Sequence, residues 1–224
     1  LKMLRFMSDG ILVTLYVTAI SFVLVLVLGL VGGLGRLSSN PILRGAATIY
    51  VEVIRGIPLL VQLMFWYFAF PAIVQSIGET AGIETLAEFK TNAIMMAILG
   101  LAFCYAAYMS EIYRAGIQSI PKGQMEAARS QGMTYVQAMR YVILPQAFRN
   151  MLPVLLTQTI VLFQDTSLVY VLSMPDFLGA ASKVAQRDGR LVEMYLFAAV
   201  VYFTISCAAS FAVRRLQARI SIVR

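Results

Sequence analysis

Asp165 stands inside the long apolar run Pro153–Met174, the one acidic residue well within any stretch of this chain long enough to cross a membrane. Leaving such a charge unpaired at mid-bilayer costs at least ~2.5–3.5 kcal/mol. Its neighbours indicate how the cost is met. On a helix advancing 100° per residue, Gln158 lies seven residues back on the same stripe, while Thr159 and Thr166 form a neighbouring stripe. Gln164 and Ser167 flank this face. A carboxylate among amides and hydroxyls is suited to hold an ammonium group, such as that of an amino acid, and a face of this kind belongs against a water-filled cavity. The same aspartate could instead bond backbone amides at a broken helix, as Asp-Thr-Ser sequences often do. Both roles are compatible, because transporter sites are commonly built on discontinuous helices.

Covalent chemistry has little to draw on. The chain has 0 histidines, which removes His-based catalysis and the usual His metal sites. Its 2 cysteines, Cys104 and Cys207, sit in apolar runs as small hydrophobes. No paired carboxylates and no nucleophile with a neighbouring base are evident in or near the apolar segments. We therefore expect no catalytic residue, no metal ligand and no cofactor in this chain.

The elements that position Asp165 are membrane-spanning. With 60% hydrophobic residues, 13% charged residues and a mean hydropathy of +0.79, the chain lacks the charge of an ordinary soluble domain. Continuous apolar runs, rather than short alternating ones, argue for an all-α polytopic membrane protein and against a β-barrel. Five spans are expected near Ile11–Gly35, Val51–Ser76, Thr91–Ser119, Pro153–Met174 and Leu191–Val213. The first is much longer than the apolar core of a signal peptide and should be retained.

Charge then orients the spans. The segments around Arg36–Arg55, Arg114–Arg149 and Arg214–Arg224 hold twelve Lys/Arg against Glu52, Glu111 and Glu126, whereas Glu79–Lys90 and Asp176–Glu193 hold four against six acids. The basic side should be cytoplasmic, with the N-terminus outside. Residues 1–10 then form a short periplasmic segment, residues 11–213 the membrane domain, and residues 214–224 a basic cytoplasmic tail. Topology also explains the pI of about 9.6, and no basic patch interleaved with aromatics points to nucleic acid.

Between the third and fourth spans, on the basic side, lies the loop of residues 120–150. It contains Glu126-Ala127-Ala128-Arg129-Ser130-Gln131-Gly132 and, nine residues further, Val142-Ile143-Leu144-Pro145. Ala127 and Ala128 favour helix, and Gly132 can end it and turn the chain. The pattern resembles the EAA loop of ABC importer permeases, with Val142 where that family usually has Ile. The resemblance implies a type I (MetI-like) permease fold in the bacterial inner membrane. It gives Glu126, Ala127, Ala128, Gly132, Leu144 and Pro145 a role in coupling to a cytoplasmic ATPase. No G-x-x-x-x-G-K-[ST] phosphate loop occurs here, so ATP and Mg would belong to that partner subunit.

Three further segments are similar to the polar amino-acid uptake branch of these permeases. They are Arg55-Gly56-Ile57-Pro58-Leu59-Leu60-Val61-Gln62-Leu63, Ser110–Ile120 and Gln164-Asp165-Thr166-Ser167-Leu168. Val161–Leu172 and Arg187-Asp188-Gly189 are most similar to glutamate/aspartate permeases. The resemblance implies that Asp165 holds the substrate's amino group. Many members carry Lys where this chain has Gln164, which leaves Asp165 more dependent on substrate or protein dipoles. It also implies a second permease subunit, related but distinct or else identical, two ATPases and a periplasmic binding protein. An acidic substrate needs its carboxylate stabilised too, and Arg187, Arg55 and Gln62 are the available donors.

Competing readings are plainer. Arg187 paired with Asp188 is an ordinary surface ion pair. Glu111 with Arg114, and Glu52 with Arg55, are expected as local pairs three residues apart. The run Phe65-Trp66-Tyr67-Phe68 reads as interface anchoring or packing. A stand-alone carrier using Asp165 as a proton or sodium site is the alternative function, although such a carrier has no use for a docking loop.

Overall fold

The computed structural model describes the backbone of residues 2–220 and the side chains of residues 5–218. Of the basic tail, Arg224 and the side chain of Arg219 lie outside the described residues. Unbroken apolar sequence from Ile11 makes α1 (Lys2–Leu37) a single long helix. Asn40 then starts α2 (Pro41–Gly56) by accepting bonds from the amides of Ile42 and Leu43, with Pro41 at the first helical position. The second span does not begin at Val51. Pro58 disfavours helix in the residue before it, and Ile57 is extended (φ −106°, ψ 130°), so α2 stops and the span resumes beyond the break.

That span, Leu59–Ala81, consists of α3 (Leu59–Met64), a wide π turn at Phe65–Ala69 and α4 (Phe70–Ala81). A short α5 (Glu84–Ala87) leads to α6 (Ala93–Gln118), which Asn92 caps through the amide of Met95 at 3.1 Å. Next come α7 (Lys122–Ser130), α8 (Tyr135–Ala138), a second π turn at Met139–Ile143 and α9 (Leu144–Asp165). The fourth span therefore begins near Tyr135 rather than Pro153 and runs as Tyr135–Leu172. The reason lies at Pro145. Proline cannot donate to the residue four back and clashes with its carbonyl, but one widened turn relieves both. Leu144 N–H accordingly reaches back five residues to Met139, just as Phe70 N–H reaches Phe65 ahead of Pro71.

Past Asp165 the helix tightens into a 3₁₀ segment, Thr166–Leu172, ended by Ser173 in the left-handed region (φ 59°). Asp176 then caps α10 (Phe177–Asp188) through the amides of Leu178 and Gly179 at 3.1 and 3.0 Å. Burial pushes its carboxyl up to about 6 despite these two donors. Phe177 N–H donates to Thr14 Oγ1 at 3.0 Å, tying α10 to α1. The chain closes with α11 (Leu191–Ile220). Among the described residues five helical stretches are long and apolar enough to cross a membrane.

Helix α6 is the axis of the packing, with residues from α1, α3, α9 and the 3₁₀ segment gathered on it in the main core. Small residues on α1 allow that approach. A Cβ added at Gly29 would lie 2.5 Å from Met109 Cβ, the root of a buried side chain, and Ser110 Oγ donates to the Gly29 carbonyl at 3.1 Å. Close small-residue contacts of this type are what hold helices together where no hydrophobic driving force acts between them. Gly29→Leu should therefore force α1 off α6 and destabilise the protein by about 1–3 kcal/mol or more. A lowered thermal transition of the detergent-purified protein is the expected reading.

Candidate substrate site and docking loop

Asp165 falls at the junction where α9 becomes 3₁₀, the discontinuity anticipated for a membrane site. It does not cap that break, for it makes no capping bond there. Its partner is Tyr105 of α6, whose hydroxyl donates to Asp165 Oδ2 at 2.5 Å. Tyr105 is buried and Asp165 half-buried, so the phenol satisfies one carboxylate oxygen from the protein side. Sequence reasoning missed Tyr105. The available signal was a tyrosine amid an apolar helix, where the hydroxyl needs a partner.

The other expected residues divide. Gln158, Thr159 and Ser167 are half-buried and Gln164 is exposed. Thr159 Oγ1 donates to the Leu155 carbonyl at 3.0 Å. Thr166 leaves the polar face altogether. It is fully buried, and its hydroxyl donates to the Phe163 carbonyl at 2.6 Å. Spacing gives a residue's angle on its helix but not which side of the stripe a neighbouring element covers, and at Thr166 that side is packed. Gln62 is likewise committed elsewhere. Its amide nitrogen donates to the carbonyls of Ile54 and Ile57, both at 2.8 Å, fastening the end of α2 to α3. Its Oε1 is buried without a partner.

The charged residues also regroup. Glu111 does pair with Arg114, whose Nε donates at 3.1 Å, but it also takes Arg36 from the end of α1. Glu52 lies 3.6 Å from Arg36 instead of pairing with Arg55. The guanidinium of Arg55 sits over the Tyr108 ring, 5.3 Å from its centroid. A pair three residues apart is a weak preference, and a third cation at a helix end overrides it. Arg187 is exposed and bonds Asp188 at 2.7 and 2.9 Å, which holds the Asp188 carboxyl below its ordinary value. Among the described residues no group of acids and cysteines could hold a metal ion.

In the loop, α7 carries exposed Glu126 and Ala127, while Ala128 is buried. Gly132 ends it in the left-handed region (φ 83°). Gly132 N–H bonds the Arg129 carbonyl at 3.0 Å and Met133 N–H bonds that of Ala128 at 3.3 Å, the two reciprocal bonds of a Schellman turn. Thr134 immediately caps the next helix in a capping box with Gln137. The result is a short helix, one glycine turn and a rigid connection into the fourth span. Leu144 and Pro145 are exposed at the start of α9, directly after the π turn.

Comparison with known proteins agrees with this arrangement. Residues 25–222 match the family model of the binding-protein-dependent transport system inner membrane component. The glutamate/aspartate import permease protein GltK of Escherichia coli is 45% identical over 216 residues, covering 96% of this chain and 94% of its own. The glutamine transport system permease protein GlnP of Escherichia coli is 33% identical, covering 96% and 93%. An amino acid ABC transporter crystallised with histidines superposes with a TM-score of 0.85 at 33% identity, covering 97% of this chain and 95% of that one. An inward-facing MetNI methionine transporter shares the fold, with a TM-score of 0.73 at 19% identity over 99% of each chain. Five spans around a central α6, the glycine-ended helix between the third and fourth, and a match along most of the sequence lead to one conclusion: the chain belongs to the inner membrane components of binding-protein-dependent transport systems, the permease subunits of ABC importers.

Proposed function

We propose that this permease imports acidic amino acids, glutamate and aspartate, by alternating access, with Asp165 taking the substrate's ammonium. The similarity to GltK along 96% of the chain carries the substrate assignment. The Asp165–Tyr105 bond, at the point where α9 tightens into the 3₁₀ segment, supports the position of the site. As a binding-protein-dependent permease it works with a binding protein and a separate ATPase that consumes ATP. Membership in that family decides against a lone ion-coupled carrier. The loop helix α7, with Glu126, Ala127, Ala128, Gly132, Leu144 and Pro145 at or after it, seats on the ATPase. The N-terminus faces the periplasm, and Arg214 and Arg215 face the cytoplasm. A related but distinct permease completes the membrane pair.

ATP binding would draw the two docking helices together and open the cavity outward, and hydrolysis would reset it. Such coupling requires that ATP and loaded binding protein favour the same state. Competition uptake by the reconstituted complex tests the substrate. Excess unlabelled glutamate or aspartate should abolish labelled glutamate uptake, and glutamine or arginine should leave most of it. Equal inhibition by glutamine or arginine overturns the acidic specificity.

A further inference from the structure

Arg55 is carried to an unusual place. Helix α2 packs against α1, where a Cβ at Gly35 would lie 3.0 Å from Ala47, and against α6, where Tyr50 donates to the Phe103 carbonyl, well inside the third span, at 2.6 Å. The end of α2 is then fixed on both sides of Arg55, because Gln62 binds the carbonyls of Ile54 and Ile57. Arg55 itself is exposed and, among the described residues, makes no ion pair. Glu111 is within electrostatic reach but is already held by Arg36 and Arg114.

The ring beneath Arg55 leads back to the aspartate. Tyr108 and Tyr105 are three residues apart on α6, with ring centroids 6.1 Å apart, and Tyr105 holds Asp165. One face of α6 thus joins an anion and an unpaired cation. A guanidinium held over an aromatic ring by cation–π attraction makes no hydrogen bond to it, so its N–H groups stay free, and those are the groups that grip a carboxylate in a two-point bond. We propose that Arg55, seated on Tyr108 and positioned by Gln62, is the carboxylate-binding pole of the substrate site whose ammonium pole is Asp165. This rests on the Asp165 assignment above. The carboxylate is either the α-carboxylate or the acidic side chain of the substrate.

The test measures binding of labelled glutamate to the purified complex of both permeases and ATPase, without binding protein. Competitors are glutamine, which lacks the side-chain carboxylate, and 4-aminobutyrate, which lacks the α-carboxylate. Arg55→Gln should weaken glutamate binding by about 10- to 100-fold, the loss of one charge-assisted pair. Arg55→Lys should recover part of it. If glutamate and glutamine weaken together while 4-aminobutyrate does not, Arg55 holds the α-carboxylate. If glutamate and 4-aminobutyrate weaken while glutamine does not, it holds the side chain. Equal weakening of all three, or none, overturns the proposal. Asp165→Asn in the same assay separates the two poles. Its loss of binding beside an unaffected Arg55→Gln leaves only the ammonium pole standing, and the reverse leaves only the carboxylate pole.

Discussion

Asp165→Asn should reduce amino-acid uptake by the reconstituted transporter more than any other single change at the candidate site. The carboxylate is half-buried with one oxygen bonded by Tyr105, so its second oxygen is the one left for an incoming ammonium. The amide keeps the shape but loses the charge. Truncating one side of a desolvated charge pair costs roughly 2–5 kcal/mol, which is a loss of about 30-fold or more in uptake at low substrate. Gln158→Leu, on the same face of α9, removes at most a neutral hydrogen bond of about 0.5–1.5 kcal/mol and should do much less harm. Thr166→Val should act on stability instead, because that hydroxyl serves the Phe163 carbonyl. Normal uptake by Asp165→Asn combined with poor insertion or assembly would make the aspartate structural and end its assignment to substrate.

The membrane architecture was legible because it depends on run length, and run length survives any detail of packing. The helix limits were harder to read. Pro58 broke the chain where a continuous span was expected, whereas Pro145 did not break it, because a π turn absorbed the clash. The two prolines look alike in sequence, and only the surrounding turn separates them. At the site, Asp165 stood out because an acid among apolar residues is conspicuous. Tyr105 did not, because a tyrosine in such a run is ordinary until its hydroxyl is followed to a partner 60 residues away. Thr166 was misplaced because a helical stripe does not tell which of its edges a neighbouring element will cover, and Thr166 is fully buried. Arg55 was visible as a donor near the inner side. Its seat on Tyr108 depends on α2 packing along α6, a tertiary fact that no spacing encodes.

Gly132→Leu should leave the permease inserted and able to bind its partner permease while uptake collapses. A Cβ at Gly132 would meet nothing within 4 Å, so no clash drives the effect. The backbone does. With φ at 83°, Gly132 holds a left-handed turn that costs a branched or bulky residue roughly 1–2 kcal/mol. Relieving that strain means abandoning the reciprocal bonds from Gly132 to Arg129 and from Met133 to Ala128, and with them the angle between α7 and the helix that Thr134 caps. The fourth span continues without a loop from Tyr135 to Asp165, so any reorientation of α7 is transmitted to the site or lost from it at this one turn. The strain is small beside the stability of five packed spans, which is why insertion should survive. It is large beside the few kcal/mol that couple two conformations in an allosteric machine. Uptake, ATP hydrolysis stimulated by loaded binding protein, and ATPase co-purification should therefore be measured on one preparation. We expect uptake to fall at least tenfold, with stimulation lost or the ATPase dissociated. Gly132→Asn, whose side chain tolerates the left-handed region, should recover most of the function. Wild-type uptake and assembly in Gly132→Leu would show that this turn does not transmit the ATPase's motion.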